Sequence, residues 1–279
     1  MTKATSDRNP AGVMSHDASV EKKLERAISQ IRGQRDQIAR LRQQVQHIQK
    51  VIDFCLGDPQ ASWLYRWREE RMDPNSPIFD PLRCEFHLAR YRFAAEFVAG
   101  CQVMDVACGT GYGSRMLVDE GGAKQVFGFD VSPEAIEYAN AKYRRPNIEF
   151  AVADGRDLPV APETMDVVVS FETLEHVSDG DRLVAEFARV LRPGGRLIIS
   201  TPNAWPLSIA PFHFKEYNRD SFLDQLRPHF QVQALFNQNS GSDFEFNRNQ
   251  PAGIIPTTDV NHELAECFLA LCHKGTPNF

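Results

Sequence analysis

Apolar residues recur along this chain in two rhythms, and the change from one to the other divides it. From Val20 onward Leu24, Ile31, Ile38, Val45 and Ile52 return every seven residues, with Ala27, Gln34, Leu41, Ile48 and Cys55 three positions behind each. A heptad pattern sustained over more than four repeats predicts a long helix with a coiled-coil seam. β-Branched residues at the first seam position favour a parallel pair, while Ala27 and Gln34 weaken the seam and Gly33 leaves the helix marginal on its own. Past Gly57-Asp58-Pro59 the heptads stop and short apolar runs take over: 103–106, 126–130, 150–153, 165–171 and 197–200. Such runs read as buried parallel strands.

The first of these runs carries the chemistry. Val103-Met104-Asp105-Val106-Ala107-Cys108-Gly109-Thr110-Gly111-Tyr112-Gly113 is a strand that breaks into three alternating glycines and then a helical pattern. A glycine turn at the carboxyl end of a strand lets backbone N–H groups approach a ligand closely. The spacing is Gly-x-Gly-x-Gly, not the Gly-x-Gly-x-x-Gly of dinucleotide sites, and the acid Asp105 lies inside the strand. That position suits a cationic amine, which S-adenosylmethionine carries and NAD lacks. The second run ends in Asp130, some 17 residues past Gly113, close to where a ribose-binding carboxylate is expected. An ionised carboxylate accepts from both vicinal hydroxyls, so Asp130 is assigned to a ribose. The third run ends in Asp154-Gly155, an acceptor for an adenine amino group, and the fourth in Phe171-Glu172.

With these motifs the chain resembles the class I S-adenosylmethionine-dependent methyltransferases over about residues 101–274. The Asp-x-Ala-Cys-Gly-x-Gly-x-Gly turn, the Phe-x-x-Leu-Glu-His segment at 171–176 and Leu-Arg-Pro-Gly-Gly at 191–195 carry the resemblance. It implies a Rossmann-like, doubly wound α/β fold with a seven-stranded, mostly parallel sheet and an antiparallel last strand. It also implies S-adenosyl-L-methionine as cofactor, with Asp105, Ala107, Cys108, Gly109 and Gly111 facing its methionine part. Asp130 and Val131 would then lie by the ribose, Asp154 and Gly155 by the adenine, and Phe171 would close over the cofactor. The pattern Glu85, His87, Arg90, Tyr91 is similar to one in family members, where such segments wall the substrate pocket; Arg90 and Tyr91 either clamp an anionic group or pack on a helix. The segment Phe212-His213-Phe214-Lys215-Glu216-Tyr217 resembles one that polysaccharide-cluster O-methyltransferases place over the acceptor, which brings in Tyr217.

Composition narrows the picture. A chain of 279 residues with 42% hydrophobic residues holds one substantial core plus an appendage. Its net charge of −6 supplies no overall basic field for nucleic acid. The basic residues concentrate in the heptad segment, where Glu21 to Lys50 hold eight Lys or Arg against three acids. That reads either as a solvated face around a homodimer seam or as a contact for an anionic partner. No apolar run is long enough to span a membrane and no signal sequence opens the chain, so a cytoplasmic protein is expected. The six cysteines show no metal or disulfide spacing, so no metal is expected. Cys108 is open to two readings, a nucleophile or a small residue suited to a tight turn. The expected organisation is a disordered tail over 1–18, a coiled-coil helix over 19–56, cap helices over 57–100 and a catalytic domain over 101–279.

Transfer of a sulfonium methyl to a hydroxyl needs a base, and histidine suits neutral pH. His213 is the first candidate and His176, after the fourth run, the second. A strand is expected over 230–235, a last strand over 264–272, and a polar binding loop between, 237–261. Three functions stay in view: a methyltransferase acting on a small-molecule sugar hydroxyl, one acting on a lipid-quinone, amine or protein, and a noncatalytic assembly protein.

Overall fold

The computed structural model describes residues 14–57, 64, 71–204, 212–239 and 253–275. Helix α1 runs Met14–Gly57 as one continuous element, so it begins inside the stretch expected to be a disordered tail; residues 1–13 lie outside the described part. Its seam residues Ile31, Ile38, Leu41, Val45, Ile48 and Ile52 are all exposed. The heptad stripe thus lies on the surface of a single helix.

The remaining elements are α2 (Pro81–Ala95), β1 (Gln102–Val106), α3 (Tyr112–Asp119), β2 (Gln125–Asp130), α4 (Pro133–Tyr143), β3 (Ile148–Val152), β4 (Met165–Phe171), α5 (Gly180–Val190), β5 (Leu191–Pro202), α6 (Arg219–Leu226), β6 (Phe230–Asn239), β7 (Gly253–Pro256) and β8 (Cys267–Lys274). Local chemistry sets the helix starts. Asp80 accepts from Leu82 and Arg83 N–H ahead of Pro81, Ser132 caps α4 ahead of Pro133, and Asn218 with Ser221 forms a reciprocal cap on α6; each satisfies N–H groups that the first turn leaves open.

The sheet order is β3-β2-β1-β4-β5-β8-β6-β7. Strands β3 to β5 pair in parallel, with Val103 opposite both Val126 and Val167. Strand β8 is inserted antiparallel between β5 and β6. Two apolar cores cover the two faces, one holding Tyr91, Leu117, Tyr138 and Phe150, the other Leu183, Phe187, Phe222 and Phe268. This is the doubly wound α/β architecture with an antiparallel end. Reversal of strand order between β1 and β4 opens a crevice at their carboxyl ends, where ligands bind in such sheets.

Three expectations about elements are corrected. The sheet has eight strands, not seven, because β7 adds a short edge pairing with Phe236–Asn239 of β6. Strand β6 runs on through Asn237, Gln238 and Asn239 into the stretch read as a polar loop, and all three amide side chains are buried. The Arg192-Pro193-Gly194-Gly195 turn is taken into β5, which begins at Leu191 opposite Met165 and shifts register before Arg196 meets Val167.

Candidate functional site

The glycine turn joins β1 to α3 at the switch point. Ala107, Gly109 and Gly111 have φ of 61°, 55° and 86°, left-handed values that fold the turn tightly, with Cys108 N–H donating to Phe129 O and Gly111 N–H to Cys108 O. Gly109 faces open space, with nothing within 4 Å of where a Cβ would stand. Gly113 does the opposite work: a Cβ there would lie 1.9 Å from the Tyr91 ring, so its absence lets α2 pack directly on α3. Cys108 is buried, and burial with the nearby Asp105 and Asp130 charges pushes its thiol well above the ordinary range. It remains a thiol at neutral pH, which favours the small-residue reading over the nucleophile.

Asp130 ends β2 beside the turn. Its Oδ2 accepts from Gly109 N–H at 3.0 Å and its Oδ1 from Ser132 N–H at 2.9 Å and the Arg71 guanidinium at 3.1 Å. Arg71, which the sequence reading missed, arrives on a strap, residues 71–80, pinned to the same turn. Thr110 Oγ1 donates to Met72 O at 2.6 Å, and the buried Asp73 accepts from the Tyr138 and Tyr143 hydroxyls at 2.5 Å each. Val131, next along, is exposed. Asp154 follows β3 and is held by Arg156, with Nη2 to Oδ2 at 2.6 Å, a bond that lowers its pKa. Gly155 is closed in by Leu183 and Val106.

Asp105 lies deeper than expected. It is fully buried and accepts from Ser114 Oγ at 2.6 Å and from Tyr91 Oη at 3.2 Å. Burial raises its pKa to about 7 against the opposing pull of those two bonds. Tyr91, read as a clamp for an outside group, is a buried support for this acid, edge-on to Phe171 with centroids 5.0 Å apart. Arg90 is also withdrawn from any substrate surface: it is wholly buried, donates to Gln238 Oε1 at 2.5 Å, and pairs with Glu172 at 3.2 Å. A guanidinium is buried only where partners surround it, and Gln238 and Glu172 are those partners. Tyr217 is placed in the second core under α6, its hydroxyl 3.4 Å from Gln225 Oε1. It packs there instead of facing an acceptor.

The carboxyl end of β4 gathers a second set. Glu172 has φ of 50°, an unusual value for a residue with a Cβ and one concentrated at functional sites. Its Oε1 accepts from Ser200 Oγ at 3.2 Å. In the following 3₁₀ turn, Leu174–His176, Glu175 is buried and accepts from Thr201 Oγ1 at 2.9 Å. His176 and His213 meet edge to face with ring centroids 4.8 Å apart. Burial, then the neighbouring His176, lowers the pKa of His213, keeping it neutral and able to take a proton at pH 7. The two histidines proposed from separate motifs are thus one cluster, with Glu175 as the member the sequence reading passed over despite its place in Leu-Glu-His.

The fold agrees with what the chain resembles among known proteins. A family model described as a methyltransferase domain matches residues 104–199. A probable S-adenosylmethionine-dependent methyltransferase of Mycolicibacterium smegmatis is 35% identical over 146 residues, covering 50% of this chain and 55% of the relative. The ubiquinone biosynthesis O-methyltransferase of Xanthomonas euvesicatoria is 31% identical over 158 residues, covering 55% and 63%. A solved structure of a putative methyltransferase from Bacillus halodurans superposes with a TM-score of 0.53 at 18% identity, covering 68% of this chain and 99% of that one. The chain spans a little over half the length of these two curated relatives. Residues 104–199 thus match a methyltransferase domain, and the chain is similar to S-adenosylmethionine-dependent methyltransferases over about half its length.

Proposed function

We propose that this chain transfers a methyl group from S-adenosylmethionine to a hydroxyl of a small molecule, with His213 as the base and His176 beside it. The observation that carries the reading is the pair of neighbouring histidines at the carboxyl end of β4, across the switch point from the glycine turn. The open face of Gly109 and the strand-end acids Asp130 and Asp154 fit the cofactor. The turn 107–111 would hold its methionine part, Asp130 its ribose and Asp154 its adenine, with Val131 exposed beside them. When bound, the cofactor supplies an electrophilic methyl on a sulfonium.

The chain's own residues do the rest. A carboxylate offers about four lone-pair positions, and Asp130 already uses three, so a ribose hydroxyl pair requires Arg71 to release Oδ1. Phe171 and Tyr91 form an aromatic wall behind the turn that keeps water away from it. A hydroxyl is a weak nucleophile until its proton leaves, and the depressed pKa of His213 suits it to take that proton during attack. A sugar hydroxyl is the first acceptor class proposed, from the resemblance of segment 212–217. The likeness to a ubiquinone O-methyltransferase favours a phenolic hydroxyl as a second reading. Helix α1, with its apolar stripe exposed, is proposed to form a homodimer through a parallel coiled coil.

Calorimetric titration with S-adenosylmethionine and, separately, NADH tests the cofactor half. Micromolar binding of the first, about −8 kcal/mol, and none of the second is expected. Mass-spectrometric screening of sugar and catechol acceptors for a gain of one methyl then tests the acceptor half. No binding of S-adenosylmethionine overturns the proposal.

A further inference from the structure

We propose that Glu175, His176 and His213 bind one divalent transition-metal ion, of the Zn²⁺, Co²⁺, Mn²⁺ or Fe²⁺ kind, at the acceptor end of the sheet. One ligand atom from each of the three lies within 4.8 Å of the others. The donors come from two segments that the backbone ties together: Phe214 and Lys215 N–H both donate to Glu175 O, at 2.7 and 3.4 Å. The two segments are therefore held together by main-chain bonds, and the side chains close on an ion by rotation to metal–ligand lengths of about 2.0–2.2 Å.

Two of the three donors, Glu175 and His176, are oriented by hydrogen bonds as metal ligands are. Glu175 is buried, and only its Oε2 is engaged, by Thr201 Oγ1 at 2.9 Å. Its Oε1 is buried without a hydrogen-bond donor and lies 3.8 Å from His176 Nε2. The cation nearest to supply a charge, Arg90, is committed to Glu172 and Gln238. His176 Nδ1 is 3.2 Å from Phe212 O. A carbonyl only accepts, so Nδ1 donates to it and Nε2 is the ring nitrogen on the Glu175 side. A ligating histidine whose other ring nitrogen donates to a carbonyl is the usual outer-shell arrangement. The two imidazoles meet edge to face beside the buried carboxylate, so their ring nitrogens and the carboxylate oxygen converge on one space.

The donor set selects the ion. Two imidazoles and one carboxylate suit borderline transition metals and not Mg²⁺ or Ca²⁺, which prefer oxygen ligands. Three protein ligands leave a position open, as in catalytic sites. Resting on the methyltransferase reading, that position takes the acceptor hydroxyl oxygen and lowers its pKa. The O–H bond breaks with the proton passing to water, the oxygen–carbon bond forms, and the carbon–sulfur bond breaks with its electron pair going to sulfur. His213 then serves as a ligand in place of a base.

The test uses the full chain stripped with a chelator and titrated with Co²⁺ and with Zn²⁺, by calorimetry and by Co²⁺ visible absorption. One equivalent is expected to bind, with the intense absorption of a low-coordinate site. Binding should weaken at least about tenfold in each of Glu175→Gln, His176→Ala and His213→Ala and stay unchanged in His273→Ala. Melting curves check that the variants fold; should Glu175→Gln unfold, the two histidine variants decide. Absence of stoichiometric binding, or binding unchanged in both histidine variants, overturns the site. Titration of the stripped protein with S-adenosylmethionine separates the two ideas: cofactor binding without Co²⁺ binding sinks the metal alone, and Co²⁺ binding without cofactor binding sinks the reaction assigned to it.

Discussion

The two halves of the crevice handle buried polarity in opposite ways. On the cofactor side the acids are answered from within the chain: Asp105 by Tyr91 and Ser114, Asp130 by two backbone N–H groups and Arg71, Asp154 by Arg156. On the acceptor side buried side-chain atoms are left over. Ser170 Oγ in β4, Glu175 Oε1 just after it and Arg90 Nη2, whose guanidinium pairs with Glu172, are buried without hydrogen-bond partners among the described residues. Unsatisfied buried groups are rare in folded proteins because each forfeits about 1–3 kcal/mol. Ser170 and Glu175 lie at one end of β4, where the acceptor is proposed to arrive, while on the other side an incoming ribose has to displace the Arg71 contact to Asp130.

That contrast can be broken by uncoupling the halves. The largest effect is expected for His213→Ala: methyl transfer should fall about 10²- to 10⁴-fold, while the calorimetric affinity for S-adenosylmethionine stays as in the parent chain. A parallel loss of cofactor affinity would mean that the halves are one site.

The next effect lies in pH. Burial pushes the Asp105 carboxyl up to about 7 from the ordinary 3.8, so between those values the folded protein holds a proton that the unfolded chain has released. Stability then falls as pH rises from about 4 to about 7, by an upper bound of about 4 kcal/mol. Thermal melts at pH 5 and pH 8 should show that Asp105→Asn loses less over this interval than the parent chain; equal losses would remove Asp105 from the account.

Asp130→Ala should weaken S-adenosylmethionine about 100-fold, from the loss of two charge-assisted hydrogen bonds at about 1.5 kcal/mol each, and should leave Co²⁺ binding at the histidine cluster untouched. The smallest effect on the crevice is expected from removing residues 14–57. Light scattering should show the number of chains per particle fall from two to one, with cofactor affinity unchanged; an unchanged number would end the homodimer proposal.

The parts legible in the sequence are those whose physics is local. Five short apolar runs became β1 to β5, the alternating glycines became a left-handed turn, and the heptads became one helix. What could not be read is where polar groups point. Arg90, Tyr91 and Tyr217 look like surface ligand contacts in a string of letters, yet each is buried and meets a partner on another element: Gln238, Asp105 and Gln225. Asn237-Gln238-Asn239 reads as loop for the same reason. In the fold Gln238 Nε2 donates to Phe86 O at 2.5 Å and Asn237 accepts from Thr257 Oγ1 at 2.7 Å, so amides that would otherwise seek water extend a strand. Glu175 was passed over because the sequence offers no sign that the segment bearing His213 folds back on it.

The place of β8 between β5 and β6 also has a consequence for synthesis. On the ribosome β6 and β7 emerge before the strand that must separate them from β5. Until residues 267–274 leave the exit tunnel, the parallel half of the sheet ends at β5 with an unpaired edge, and β6 and β7 form only a two-stranded hairpin, which is marginal in water. The half that binds the cofactor is complete on the nascent chain while the wall against β5 is still missing, so a chaperone that shields the β5 edge would act in that interval.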